Sequence, residues 1–256
     1  MDICKIKKKK DPKIKQGFQG QIFVTEKGEI IKTIKKNKDK EYYYIKLVKE
    51  KITKKDSIFF NPYIKMKQCK NGYNYYLMKK LDGDLNNLLT SNEKINYKNI
   101  LLQLMAGIYI INHKLKIFHN DLFARGIIKN IMFLKNQEKN IVFEKDFIKF
   151  KIGSYIVKII DFGQTGEHIW EPSKRYKEKY FRDITLYSEV FLTTYYFFST
   201  IYKNKRGDYN IELEDKIIKV GLRLEKKSDY NLKLFDQLFI KHINKNFSDF
   251  MKLIKK

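Results

Sequence analysis

Cysteine, arginine and long apolar runs are all scarce in this 256-residue chain, and each scarcity removes a class of protein. Cys4 and Cys69 are the only cysteines, too few for a disulfide framework. The longest apolar run, Val190 to Tyr202, is broken by Thr193, Thr194, Ser199 and Thr200 and is too short to cross a bilayer, so it reads as a core helix. A charge-rich stretch stands at the N-terminus in place of an apolar signal segment. His113, His168 and His242 are scattered without metal-like spacing, which argues against zinc.

Arginine occurs only at Arg125, Arg175, Arg182, Arg206 and Arg223, so lysine carries nearly all of the +25 net charge. Isoleucine, asparagine, tyrosine and phenylalanine are abundant as well, the profile of A+T-rich coding. A surface selected to grip phosphates keeps more arginine, whose planar fork bonds them bidentately. Coding bias is therefore the first explanation of the charge, ahead of a nucleic-acid or membrane surface anchored on Lys7 to Lys10. With 43% hydrophobic and 15% aromatic residues, the chain can bury one substantial core.

Two motifs about forty residues apart carry chemistry: His119-Asn120-Asp121-Leu122 and Ile159-Ile160-Asp161-Phe162-Gly163. A γ-phosphoryl group moves with its charge spread over oxygens, so its site needs Mg²⁺ and an acid that holds the incoming hydroxyl. Asp121 is the candidate acid-base residue and Asp161 the candidate metal ligand. The apolar run Ile156 to Ile160 predicts a strand that ends at Asp161, and Gly163 is expected to turn the chain beyond it.

In this order and separation the motifs resemble those of the protein-kinase-like superfamily. The resemblance implies an α+β, bilobal fold forming one catalytic domain, with a small β-rich N-lobe over 1–80 and a mainly helical C-lobe over 81–256. Upstream, the stretch Lys15 to Phe23 matches the last two glycines of the family's Gly-rich loop at Gly17 and Gly20, while Lys15 holds the place of the first. Lys32, after Ile30 and Ile31, fits the strand lysine that contacts ATP phosphates. Glu41 is its preferred helix partner, because Tyr44, Ile45 and Val48 follow at helical spacing; Glu50 is the rival. Tyr73 to Met78 predicts a strand leading to the hinge, with Met78 near the adenine. Asp82 or Asp84 is placed for the ribose, an N-cap role being equally open to Asp84. Asn99 to Lys114 predicts a buried helix that delivers the chain to Asp121.

Departures from the family pattern are informative. The second metal ligand is expected five residues after Asp121, where Gly126 stands; an Asn-Ile-Met-Phe match begins four positions later at Asn130. A bulge over Gly126 to Lys129 would return Asn130 to the metal. Asn120 replaces the arginine that pairs with a phosphorylated loop, which implies constitutive behaviour. Lys135 to Ser154 predicts a projecting β-hairpin that serves as decoration. The segment after Gly163 is short and lacks A-P-E, and Asp183 is assigned to bond the catalytic-loop backbone. Ile211 to Leu224 and Leu232 to Ile254 predict closing helices, the latter with Leu234, Phe235, Leu238, Phe239 and Ile243 inward.

The resemblance thus implies an ATP- and Mg²⁺-dependent serine/threonine protein kinase, similar in style to those of large cytoplasmic DNA viruses. An intracellular, cytoplasmic or virion location follows, with Cys4 and Cys69 as free thiols. The expected partners are ATP and a protein substrate, acidic or nucleoprotein-associated, with nucleic acid itself not favoured. A pseudokinase scaffold, a small-molecule kinase and a basic nucleic-acid-binding module stay open as alternatives.

Overall fold

The computed structural model describes residues 2–7, 20–61, 63–124, 127–138, 140–167, 188–206 and 211–255. Strands β1 (Gly20–Val24), β2 (Ile30–Lys35), β3 (Tyr63–Gln68) and β4 (Tyr73–Met78) form an antiparallel sheet in the order β1-β2-β4-β3. Gly20 is required where β1 meets β2, since a Cβ there would lie 2.5 Å from the Thr33 carbonyl oxygen. Helix α1 (Glu41–Lys51) has Ile45 and Val48 buried, and its Tyr42 ring lies 6.3 Å from that of Tyr76 on β4. Its start is set by Asp39, which accepts from the Tyr42 amide at 3.0 Å and from Asn74 Nδ2 at 2.7 Å, and which also binds the Tyr76 hydroxyl. One carboxylate therefore begins the helix and fastens it to β4.

Ile3 is fully buried with Ile31, Cys69, Tyr75 and Leu77 in a small cluster separate from the main core. The cysteines do not remain free thiols as expected: Cys4 is joined to Cys69, their Cα atoms 5.9 Å apart. Burial of Ile3 brings the N-terminal turn to the β3–β4 connection, a contact that sequence spacing does not reveal.

Beyond Met78 the chain enters a mainly helical lobe. Strand β5 (Gly83–Asp84) leads into α2 (Leu85–Thr90), and Asp84 caps that helix by accepting from the Asn86 amide at 2.8 Å. Asp82 is tied to the following sheet, accepting from the Lys135 amide at 2.6 Å. Helix α3 (Tyr97–Ile110) is buried along most of its length and continues into a wider turn over Ile111–Leu115. Among its buried residues is Gln103, which donates to the Tyr155 carbonyl at 2.8 Å and accepts from the Val157 amide at 2.9 Å. That amide clamps α3 against the strand that ends at Asp161.

The expected four-residue bulge is a miniature hairpin, β6 (Phe123–Ala124) paired antiparallel with β7 (Ile127–Ile128); Gly126 lies outside the described residues. Strand β8 (Ile131–Lys135) pairs with β5 and with β11 (Tyr155–Ile159). Between them, β9 (Val142–Lys145) and β10 (Ile148–Lys151) make the expected hairpin, but it is not decoration. Phe143 and Ile148 are buried in the main core, and the Phe143 ring sits edge-on to Phe59 at 4.7 Å.

Among the described residues, three long helices follow in this lobe: α4 (Glu189–Arg206), α5 (Ile211–Lys227) and α6 (Leu232–Lys255). Ser188 starts α4 by accepting from the Phe191 amide at 3.0 Å, and its hydroxyl donates to buried Asp236 of α6. On α6, Phe235, Phe239 and Ile243 face inward as expected, whereas Leu234 is exposed, because Asp236 takes the inward position beside Ser188 and His113. Among the described residues no helix is long and apolar enough to cross a membrane.

Candidate active site

Lys32 stands on β2 opposite Tyr76 of β4, its ammonium 2.6 Å from Glu41 Oε2 and 2.9 Å from Asp161 Oδ1. Burial alone would lower the affinity of Lys32 for its proton, but the two carboxylates outweigh it and hold the ammonium above its usual range. Burial pushes the Glu41 carboxyl up to about 7, against the attraction of Lys32. At Asp161 the balance reverses: burial raises its pKa, and Lys32 more than compensates, leaving it below the ordinary carboxylate value. The Tyr63 hydroxyl donates to the second Glu41 oxygen at 3.4 Å. Glu50, the rival partner, lies on the outer face of α1 at 3.8 Å from Lys46.

The second cluster surrounds Asp121. Asn130 Nδ2 donates to Asp121 Oδ2 at 2.8 Å and to its carbonyl oxygen at 2.9 Å, while Lys129 pairs with Oδ1. The β6–β7 hairpin makes this possible: it absorbs the extra residues and returns the chain beside the loop it left. The two clusters are stitched together by the Ile160 amide, which donates to the Asn130 carbonyl at 3.0 Å, and by His119 Nε2, which donates to the Ile160 carbonyl at 2.8 Å. Burial lowers the His119 pKa, so the ring is neutral near pH 7.

Three site residues, Asn120, Asn130 and Asp161, have left-handed backbones with φ of +62°, +55° and +61°. Asn and Asp tolerate this conformation better than other non-glycine residues, and such strain persists only where surrounding bonds enforce it. The change of direction expected at Gly163 is therefore made at Asp161 itself. Phe162 is fully buried, its ring 5.1 Å from that of His119.

Sequence reasoning missed two residues. Glu189, almost fully buried at the start of α4, accepts from the His119 amide at 3.1 Å, the Asn120 amide at 2.7 Å and Asn112 Nδ2 at 2.9 Å. It makes the backbone bonds expected of Asp183, which lies outside the described residues. A glutamate opening the apolar run at Val190 was the available signal. Lys129 was the other, and in so lysine-rich a chain it had no contrast.

Of the remaining candidates, Gly17 lies outside the described residues and Gly20 opens β1. Met78 is buried at the end of β4, where the chain leaves the sheet for the helical lobe. For a hard cation the residues present fit: Asn130 spends its amide nitrogen on Asp121, so its side-chain oxygen is the atom that would face a cation, and the Asp161 side chain remains 40% exposed.

A small antiparallel sheet with one packed helix, a helical lobe, and a lysine bridging a helix glutamate and a strand-end aspartate define the bilobal protein-kinase-like fold. A solved structure agrees. The BubR1 kinase domain matches with a TM-score of 0.55 and 13% identity, over 100% of this chain and 85% of that one. The PF14_0431 kinase domain is also similar, with a TM-score of 0.46 and 15% identity, over 97% of this chain and 82% of that one. The likeness is one of fold. No protein-family model matches the sequence, and no curated protein does.

Proposed function

We propose that the chain is an ATP- and Mg²⁺-dependent protein kinase that transfers the γ-phosphoryl group to serine or threonine of a protein substrate. The observation that carries this reading is the buried Lys32, held between Glu41 and Asp161, with Asp121 and Asn130 tied to the same strand end. A lysine with two carboxylates is an expensive arrangement to bury for stability alone. It suits a site that must present one fixed cation to a polyphosphate.

Lys32 holds phosphate oxygens in this mechanism, and Glu41 keeps its ammonium in place from α1. Asp161 and Asn130 are the residues that would hold Mg²⁺, which when bound neutralises charge on the transferring group. Asp121 orients the substrate hydroxyl and accepts its proton at a carboxylate oxygen, while Lys129 offers a cation beside it. Met78 and Gly20 lie on the elements that would border the nucleotide. The lobes divide near residue 80. Serine/threonine preference follows family frequency, and the likeness to kinases of large DNA viruses follows composition.

A pseudokinase is the second reading, favoured because Lys129 and Asn130 engage both Asp121 carboxylate oxygens. Radiolabelled ATP with Mg²⁺, supplied with acidic and basic protein substrates, separates the two. Transfer by the wild type that falls at least about a hundredfold in Asp121→Asn supports the kinase. ATP binding without transfer supports the pseudokinase, and absence of both overturns the reading.

A further inference from the structure

A cavity of about 590 Å³ lies behind α1, between that helix, the residues leading into β3 and the β9–β10 hairpin. Its apolar wall is made by Ile45, Val48, Ile52, Phe60 and Phe143. That volume suits a ligand of ordinary small-molecule size. Its polar groups are unusual. Lys158 of β11 is only 7% exposed, and among the described residues its ammonium donates to the carbonyl oxygens of Ile58 and Phe60 alone. Among the described residues no carboxylate pairs with it. Burial, with a further contribution from Lys79, pulls its pKa down to about 8. Lys49, Lys54 and Lys55 line the same cavity, and none of them is paired with an acid among the described residues. Neighbouring Asp56 is taken up by Lys114 and Lys145.

An uncompensated buried ammonium, a lysine rim and an apolar wall call for an anion with an apolar body. We propose that this cavity is a binding site for an amphipathic phosphate monoester, whose dianionic head meets Lys158 and the rim lysines and whose tail lies along α1. The occupant would touch Tyr63, which also lines the cavity and whose hydroxyl lies 3.4 Å from Glu41 Oε1. The site would thus adjoin the Lys32–Glu41 pair from behind.

The test is direct calorimetric binding of monomeric dodecyl phosphate to the whole protein without ATP, so that its result stands apart from phosphoryl transfer. The expected result is saturable one-to-one binding, at least tenfold tighter than that of dodecanol and tighter than that of dodecanoate. Lys158→Met should weaken it at least tenfold without lowering thermal stability, and Ile52→Trp, which fills the cavity from its partly exposed wall, should abolish it. Equal affinity for dodecanol would overturn the proposal, leaving only an apolar slot. Undiminished binding by folded Lys158→Met or Ile52→Trp would overturn it too, by assigning the binding to surface lysines; dodecanoate as tight as the phosphate would refute the choice of head group.

Discussion

Glu189→Ala is expected to loosen the loop that carries Asp121 without touching Asp121. The Glu189 carboxylate accepts from the backbone amides of His119 and Asn120 and from Asn112 Nδ2, at 3.1, 2.7 and 2.9 Å, and the residue is 1% exposed. Truncation leaves those donors without their acceptor in a site with little access to water, each at a cost of about 1–3 kcal/mol. The three are neighbours and will not add fully, so a total on the order of 4 kcal/mol is expected. For a chain of this size that corresponds to a fall in Tm of about 10 °C. Glu189→Gln, which keeps one acceptor oxygen but places an amide group among donors, should fall between the wild type and Ala. Thermal and urea unfolding by circular dichroism measure both, and phosphoryl transfer by the folded Gln variant reports on loop position. A drop in Tm below about 2 °C for Ala would refute the idea that this carboxylate holds the loop.

Two further outcomes are expected. Lys158, whose folded pKa is about 8 against 10.5 for the free side chain, leaves the unfolded chain holding more protons between those values, so stability should rise by up to about 3 kcal/mol from pH 8 to 10.5. Chemical denaturation across that range should lose this slope in Lys158→Met, and an unchanged slope would show that Lys158 is not its source. The Cys4–Cys69 bond closes a loop with a sequence separation of 65, so the Cys4→Ser variant should be less stable by about 4 kcal/mol on the chain-entropy account. Titration of two free thiols in the folded, unreduced wild type would contradict the pairing.

Local chemistry made much of this fold legible. Tyr73 to Met78 forms a strand with the expected limits because its apolar and aromatic residues are compatible with a buried sheet position. The long helices were visible in the spacing of their apolar residues, and β11 in the isoleucine-rich run before Asp161. Lys32 and Asp161 were named from motif order and Glu41 from the helical spacing of the apolar residues after it, and the structure brings those three side chains together; it likewise brings Asn130 to Asp121.

What the sequence by itself determined was the kind of element each segment forms and which acids and amides stand where chain direction changes. Only the tertiary structure decided which distant partner each acquires. Glu189 reaches the loop at His119 across seventy residues of sequence, and Cys4 meets Cys69, because packing of the intervening elements sets those distances. Leu234 faces outward, although it was counted with the inner face of α6, since Ser188 and His113 claim Asp236. The turn into Phe162 falls on Asp161 rather than on Gly163 because Lys32 and the His119–Ile160 bond enforce it there. Lys129 and Lys158 looked like any other lysine in the chain. Burial and the identity of their neighbours, properties of the folded packing rather than of residue type, are what set them apart.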